Sequence, residues 1–248
     1  MVMCKIVHKK MSDGWTIKEI VHPDYHGHNH YYYNDKRAPV VKLVDNKLIK
    51  QYAGYTLIEK DLRSVLAWLY EIEKLNPQHH TRYENPQLMD LIKGHFVAAL
   101  TFYGKCFTES KGRGIKYDRM SVPEEHRKTH DLIMELRHNF TAHSGIGFES
   151  VKVSLVLHPD INSNMKPQLY TELRQPDLSE DLIKEMIILV NTLQKKSLEK
   201  RKNIGDKFLD EVVLPEGKLH WYTKSTIDNF VVPDNVAESL KNTNSNKS

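Results

Sequence analysis

Four amphipathic segments constrain this chain more than anything else in its sequence. In each, apolar residues recur three and four apart behind a helix-start signal. Thr56 and Glu59 form a capping box around Ile58, which shares one helical face with Leu62, Val65, Leu69 and Ile72. Asn85-Pro86 supplies a cap and a proline at the first helical position before Leu88, Leu91, Ile92, Phe96, Ala99 and Tyr103. Ser121 and Glu124 make a second capping box, followed by Leu132, Ile133, Leu136 and Phe140. Asp177 with Glu180 opens the last segment, which carries Leu182, Met186, Ile187, Val190 and Leu193. The third segment stops near His143-Ser144-Gly145, where glycine suits a left-handed cap. The fourth runs into Lys195, Lys196, Lys200, Arg201 and Lys202, which complement the helix C-terminal dipole. The pattern predicts a mainly α-helical protein with a four-helix core over residues 56–205.

The flanks read differently. Val151, Val153 and Leu155 alternate with Lys152 and Ser154, and Leu169–Leu173 is a matching partner, so a β-hairpin near 148–174 interrupts the helices. Residues 1–52 form a small β-rich element, from Trp15–Val21 and Val40–Ile49 with turn signals at Asp13-Gly14 and Asp45-Asn46. The helical core with its hairpin then occupies 53–210. Residues 211–233 read as a short C-terminal β or irregular segment, with a strand or two over Lys218–Val232, and 234–248 as a disordered tail.

Composition narrows the function classes. A chain of 248 residues with 40% hydrophobic content can bury a core, which excludes whole-chain disorder. A net charge of +4 argues against a general polyanion coat and leaves room for a local basic cleft. Cys4 and Cys106, the only cysteines, cannot make a disulfide framework or a four-cysteine zinc site, which points to a reducing compartment. The segment after Met1 has no apolar signal region, and apolar runs such as Phe96–Leu100 and Met186–Val190 fall far short of the ~20 residues of a spanning helix. A cytoplasmic protein without membrane contact is the expectation.

The sharpest local feature is Glu135-Leu136-Arg137-His138-Asn139-Phe140-Thr141-Ala142-His143-Ser144-Gly145. It resembles the Arg-x4–6-His signature of the HEPN superfamily (higher eukaryotes and prokaryotes nucleotide-binding). The match has a polar residue, His138, after the Arg and Ala142 before the His, and it lies at the end of the third of four helices. Arg119…His126 has a permitted spacing too, but it straddles Pro123, so no continuous helix presents it. The resemblance covers the helical core and leaves the β-rich flanks unexplained. It implies a metal-independent endoribonuclease, without cofactor, of the toxin–antitoxin or anti-phage defence kind. Its site forms where two copies of the motif meet in a homodimer. His143 would be the acid/base, Arg137 the phosphate clamp, and His138 or Asn139 an orienting group. RNA and an antitoxin or other regulatory protein are the implied partners. The same resemblance also admits a non-catalytic helical dimerisation or partner-binding module.

The chemistry is consistent with those residue types. A histidine near its solution pKa can shuttle the proton of a 2′-hydroxyl, and an arginine can offset charge on a phosphorane through paired hydrogen bonds. On an ideal helix six residues separate Arg137 and His143 by about 9 Å of rise and about 120° of azimuth, so the long Arg, a frayed last turn or a second protomer must close the gap. The competing structural reading has Arg137 paired with Glu135 and His143 satisfying a helix-end carbonyl.

Other candidates compete. Arg113, Lys116 and Arg119, with Lys111, Gly112 and Gly114, make a basic loop before the third helix; it is either a solvated connector or an RNA-facing loop. His22, His26, His28 and His30 with Asp24 crowd together in the manner of a metal site, but Pro23 and Gly27 favour a loop with incidental histidines, and no metal site is assigned. His79-His80 reads as loop. Tyr31-Tyr32-Tyr33 with Lys36 and Arg37 has the composition of a base-stacking, phosphate-holding surface or of a plain edge strand. Cys106 sits in apolar context as a core thiol. Neither a Gly-x-Ser-x-Gly elbow nor a dinucleotide-binding fingerprint occurs.

Overall fold

The apolar stripes predict which helix faces meet, and the structure, a computed structural model, bears them out except at Leu91 and Leu132, which are exposed. It describes residues 5–11, 13–22, 25–77, 84–141, 150–162, 164–174 and 178–225. Four helices make the core: α1 (Lys47–Leu75), α2 (Pro86–Phe107), α3 (Arg127–Leu136) and α4 (Glu180–Phe208). Ile58, Leu62, Val65, Leu69 and Ile72 of α1 are fully buried, as are Ile92, Ala99 and Tyr103 of α2, Ile133 of α3 and Met186, Val190 and Leu193 of α4. The chain divides into two compact units: residues 45–207, and residues up to 44 together with those from 208 onward.

Within the first of these, cross-helix contacts set the directions. Asn191 Nδ2 donates to Tyr70 Oη at 3.1 Å, Gln194 Nε2 to Glu59 Oε1 at 3.1 Å and Lys200 Nζ to Tyr55 Oη at 3.2 Å. The falling α1 numbers against rising α4 numbers make the pair antiparallel. Trp68 meets Phe102 edge-on, with ring centroids 4.9 Å apart, on the α1–α2 side.

The helix starts depart from the capping-box reading in two places. α1 begins at Lys47, ahead of Thr56, because Asn46 is the cap: its Oδ1 accepts from the amides of Leu48 (2.8 Å) and Ile49 (3.4 Å). Thr56 lies inside the helix and its hydroxyl donates to the Tyr52 carbonyl. The β-branched run Val40–Ile49 therefore ends in a helix and not in a strand. Ser121 does not cap α3 either. Its amide and hydroxyl donate to Asp118 Oδ1, at 2.7 and 2.9 Å, inside a 3-10 turn, Arg119–Ser121; a second such turn, Glu124–His126, precedes the helix at Arg127. The second start holds as read, Asn85 Oδ1 accepting from Leu88 N at 3.1 Å; α4 opens at Glu180 with Ser179 Oγ accepting from Leu182 N, while Asp177, read as its opening residue, lies outside the described residues.

The hairpin is as expected: β5 (Ser150–Val156) pairs antiparallel with β6 (Gln168–Arg174), Val153 opposite Thr171, and Lys152 opposite and ion-paired to Glu172 at 3.4 Å. Its apolar side chains face solvent, among them Val153, Leu155 and Leu169.

In the second unit, β1 (Lys5–Lys10), β2 (Trp15–His22), β3 (Tyr25–Tyr33) and β4 (Lys36–Arg37) form one antiparallel sheet in sequence order. Of the histidine-rich stretch, His22 ends β2 and Tyr25–His30 belong to β3, with a register irregularity between Ile20 and His22, so Gly27 lies in a strand and not in a loop; Pro23 and Asp24 lie outside the described residues. His30 on β3 is buried; the side chains of His22, His26 and His28 lie outside the described residues. The C-terminal strand expectation is overturned over residues 218–224; residues 226–232 lie outside the described residues. Leu214–Lys224 is helical, α5, with Pro215 in its first turn and a kink at Gly217 (φ 78°, ψ 162°), across which His220 Nδ1 lies 3.3 Å from Glu216 Oε2. The tail read as disordered, His79 and His80 lie outside the described residues.

The faces give a direct test. Leu69→Ala should cost about 2–5 kcal/mol of unfolding free energy in urea titrations. Leu91→Ala, at a position left half exposed on α2, should stay within about 0.5 kcal/mol of the parent.

Candidate functional site

α3 presents Thr129, His130, Ile133 and Leu136 inward. Beyond Leu136 the backbone continues as a π turn, Arg137–Thr141. Such i→i+5 turns are uncommon and recur at functional sites. Three of the expected site residues therefore share this turn: Arg137 is half-buried, His138 exposed and Asn139 half-buried. His143 lies outside the described residues.

Arg137 is seated by an absence of side chain on the neighbouring helix. Its aliphatic stem runs over Gly104 of α2, where an added Cβ would overlap Arg137 Cδ and Nε and lie 3.1 Å from Cζ. Glycine costs helix stability relative to alanine, and here it opens the slot that the arginine fills. Next along the turn, Phe140 packs against the core, with Lys93 Nζ 5.5 Å from its ring centroid. The motif thus touches α2 at two places about three turns apart, through Arg137 at Gly104 and through Phe140 near Lys93.

His130 is the histidine that the sequence pattern passes over. It is buried, with its ring centroid 4.4 Å from that of Phe107, and a 2.8 Å hydrogen bond joins its Nδ1 to Tyr103 Oη. Burial lowers the His130 pKa below the usual imidazole value, outweighing the neighbouring Asp131, and burial likewise raises the Tyr103 phenol. Both are neutral at pH 7. His130 is a packed polar core residue; the signal for it was its spacing, three residues before Ile133.

The basic loop separates into distinct roles. Arg113 turns inward: its side chain is 8% exposed, it pairs with Asp61, itself 4% exposed, and Nη1 donates to the Lys105 carbonyl at 2.5 Å. Arg113 is therefore not an outward phosphate contact. Arg119 is exposed and forms a bidentate pair with Asp131, both bonds 2.7 Å, which holds the Asp131 carboxyl below the usual carboxylate range. Lys116 is exposed, 3.9 Å from Glu109. The loop reaches the bundle at Gly54, where a Cβ would sit 2.9 Å from the Arg113 carbonyl oxygen, and Tyr117 is buried with its hydroxyl 2.8 Å from Ser197 Oγ. Cys106, beside it, is fully buried, as read.

No three His, Cys, Asp or Glu side chains among the described residues are grouped to hold a metal ion. No described helix is long and apolar enough to cross a membrane. Comparison with protein-family models, with curated proteins and with solved structures found no match to this chain.

Two measurements check this geometry. Asp61→Ala and Arg113→Ala should each destabilise the fold by about 3–5 kcal/mol, because each strands a buried charge, and the double variant should lose less than their sum. Burial pushes the Cys106 thiol up to about 12, against a partial lowering by Arg113. The raised value means that the thiol's stabilising effect is complete below the unfolded-state value of about 8.5 and is lost as pH rises toward 12. In a Cys4→Ser variant, Cys106 should resist a thiol reagent at pH 8 and react fully once the chain is unfolded.

Proposed function

We propose that this chain is a metal-independent endoribonuclease of the toxin–antitoxin or anti-phage defence kind, acting as a homodimer with Arg137 and His143 as its core machinery. The observation that carries the reading is the seat of Arg137: it stands on a π turn at the end of the third core helix, its stem held in the slot above Gly104, with His138 and Asn139 on the same turn. The HEPN-like motif calls for an arginine in such a position, followed by a histidine.

In this reading the reaction is a transesterification. A base removes the proton of a ribose 2′-hydroxyl, the 2′-oxygen bonds to the adjacent phosphorus, and the bond to the 5′-oxygen breaks as an acid protonates it. The products are a 2′,3′-cyclic phosphate and a 5′-hydroxyl. His143 moves the proton, and a second His143 from the partner protomer supplies the complementary role. Arg137 neutralises the equatorial oxygens as charge gathers on them. A positioned side chain does this work without a Lewis acid. A +4 chain suffices, because only the cleft must be basic.

Incubation of the purified chain with a mixed RNA pool should give 5′-hydroxyl fragments in the presence of EDTA. His143→Ala should reduce the cleavage rate by about 10²-fold or more with the unfolding midpoint unchanged. Arg137→Lys should retain folding and lose about 10²-fold, since a point charge does not replace the planar fork. Light scattering should return twice the chain mass of 29.0 kDa. RNA left intact by the parent chain at every pH between 5 and 9 would refute the reading.

A further inference from the structure

We propose that Trp15, Tyr33, Trp221 and Tyr222, with Lys36 and Arg37, form a binding site for a nucleobase and its attached phosphate. All six line one cavity of about 420 Å³ within the unit built from the sheet and the C-terminal helix. That volume falls inside the range of about 300–1,000 Å³ typical of small-molecule sites.

The aromatic half is built by pairing. Trp15 and Tyr33 are direct cross-strand partners on β2 and β3, their ring centroids 5.1 Å apart and tilted by 53°. On α5, Trp221 is fixed because its indole Nε1–H donates to the Val213 carbonyl at 3.0 Å. Its polar edge is thereby occupied within the protein, and what remains to offer is the flat face of the ring. Tyr33 and Tyr222 are both largely exposed. Flat, exposed rings suit a planar heteroaromatic ligand better than an aliphatic one.

The cationic half follows from a turn. Asn34 and Asp35 take left-handed φ values of 45° and 62°, which close β3 onto β4 with Tyr33 opposite Lys36. The two residues after the turn are Lys36, opposite Tyr33, and Arg37, opposite Tyr32, and both line the cavity. No lining residue is acidic. An anion attached to a stacked ring would lie in a lining that holds Lys36 and Arg37 and no carboxylate, and stacking platforms flanked by cations hold single-stranded nucleic acid. Mononucleotides and the bases of an RNA strand share this chemistry. The site shares no residue with the Arg137 turn and does not rest on the cleavage reading.

Tryptophan fluorescence of the full chain tests the site with three probes: AMP, a short oligo(A) RNA and inorganic phosphate. Saturable quenching by AMP or by oligo(A), with none by phosphate at the same concentration, is the expected result. Binding of AMP as tightly as oligo(A) identifies a mononucleotide site; binding of oligo(A) alone identifies a strand site. Lys36→Glu, on an exposed turn, and Tyr222→Ala, on an exposed helix position, should each weaken binding by about tenfold. His143→Ala should leave it unchanged, which separates this site from the catalytic one. Quenching by neither nucleotide, equal quenching by phosphate, or parent-like affinity in both variants would overturn the proposal.

Discussion

The buried pair between Asp61 and Arg113 is the interaction on which the rest of the helical core depends. Two charges removed from water are costly, and the pair is tolerable only because the guanidinium also donates to the Lys105 carbonyl near the end of α2. One side chain therefore links the middle of α1, the last turn of α2 and the connector between α2 and α3. Gly54, two turns before Asp61 on α1, lets the same connector lie directly on the helix, and Tyr117 fastens its far end to Ser197 on α4. With both ends of the connector anchored, the start of α3 is fixed, and with it the place where Arg137 emerges beside Gly104.

What the sequence discloses and what it hides follow from the range of the interactions involved. Ile58 to Ile72, Ala99 and Tyr103, and Met186 to Leu193 were legible because periodicity reports burial within one element. The Asn85-Pro86 start and the alternation at Val151–Leu155 were legible because their partners lie within a few residues. Thr56 and Ser121 misled because a capping box is a local pattern that a stronger local competitor can displace: Asn46 captures the start of α1, and Asp118 captures Ser121. Arg113 misled for the opposite reason. Its partner, Asp61, is 52 positions away, and nothing in a Gly-rich basic loop marks one of its cations as internal. Lys218–Val232 read as a strand or two, whereas residues 218–224 are helical, behind Pro215 at the start of α5 and the kink at Gly217.

Of the candidate site, the sequence located the turn that carries Arg137, His138 and Asn139, but not its π geometry, which arises where α3 runs past its last buried leucine. Nor could it pair Arg137 with Gly104, since that contact is a gap in one helix matched to a side chain of another. The aromatic and basic stretch at Tyr33–Arg37 was legible as composition only. Its meeting with Trp221 joins the two ends of the chain, a separation that no local pattern spans.

The antiparallel α1–α4 pair has a consequence for how this chain can change length. Both helices run 29 residues, each about 43 Å of rise, and they are stitched by side chains from Tyr55 and Lys200 to Tyr70 and Asn191. Inserting one residue into either would rotate everything beyond it by about 100°, swinging a buried stripe toward water and uncoupling every later stitch. Descendants of this sequence are thus held to substitution along those two rods, and growth or shortening falls to the connections, such as the segment between β5 and β6, where an added residue leaves the packing of the core unrotated.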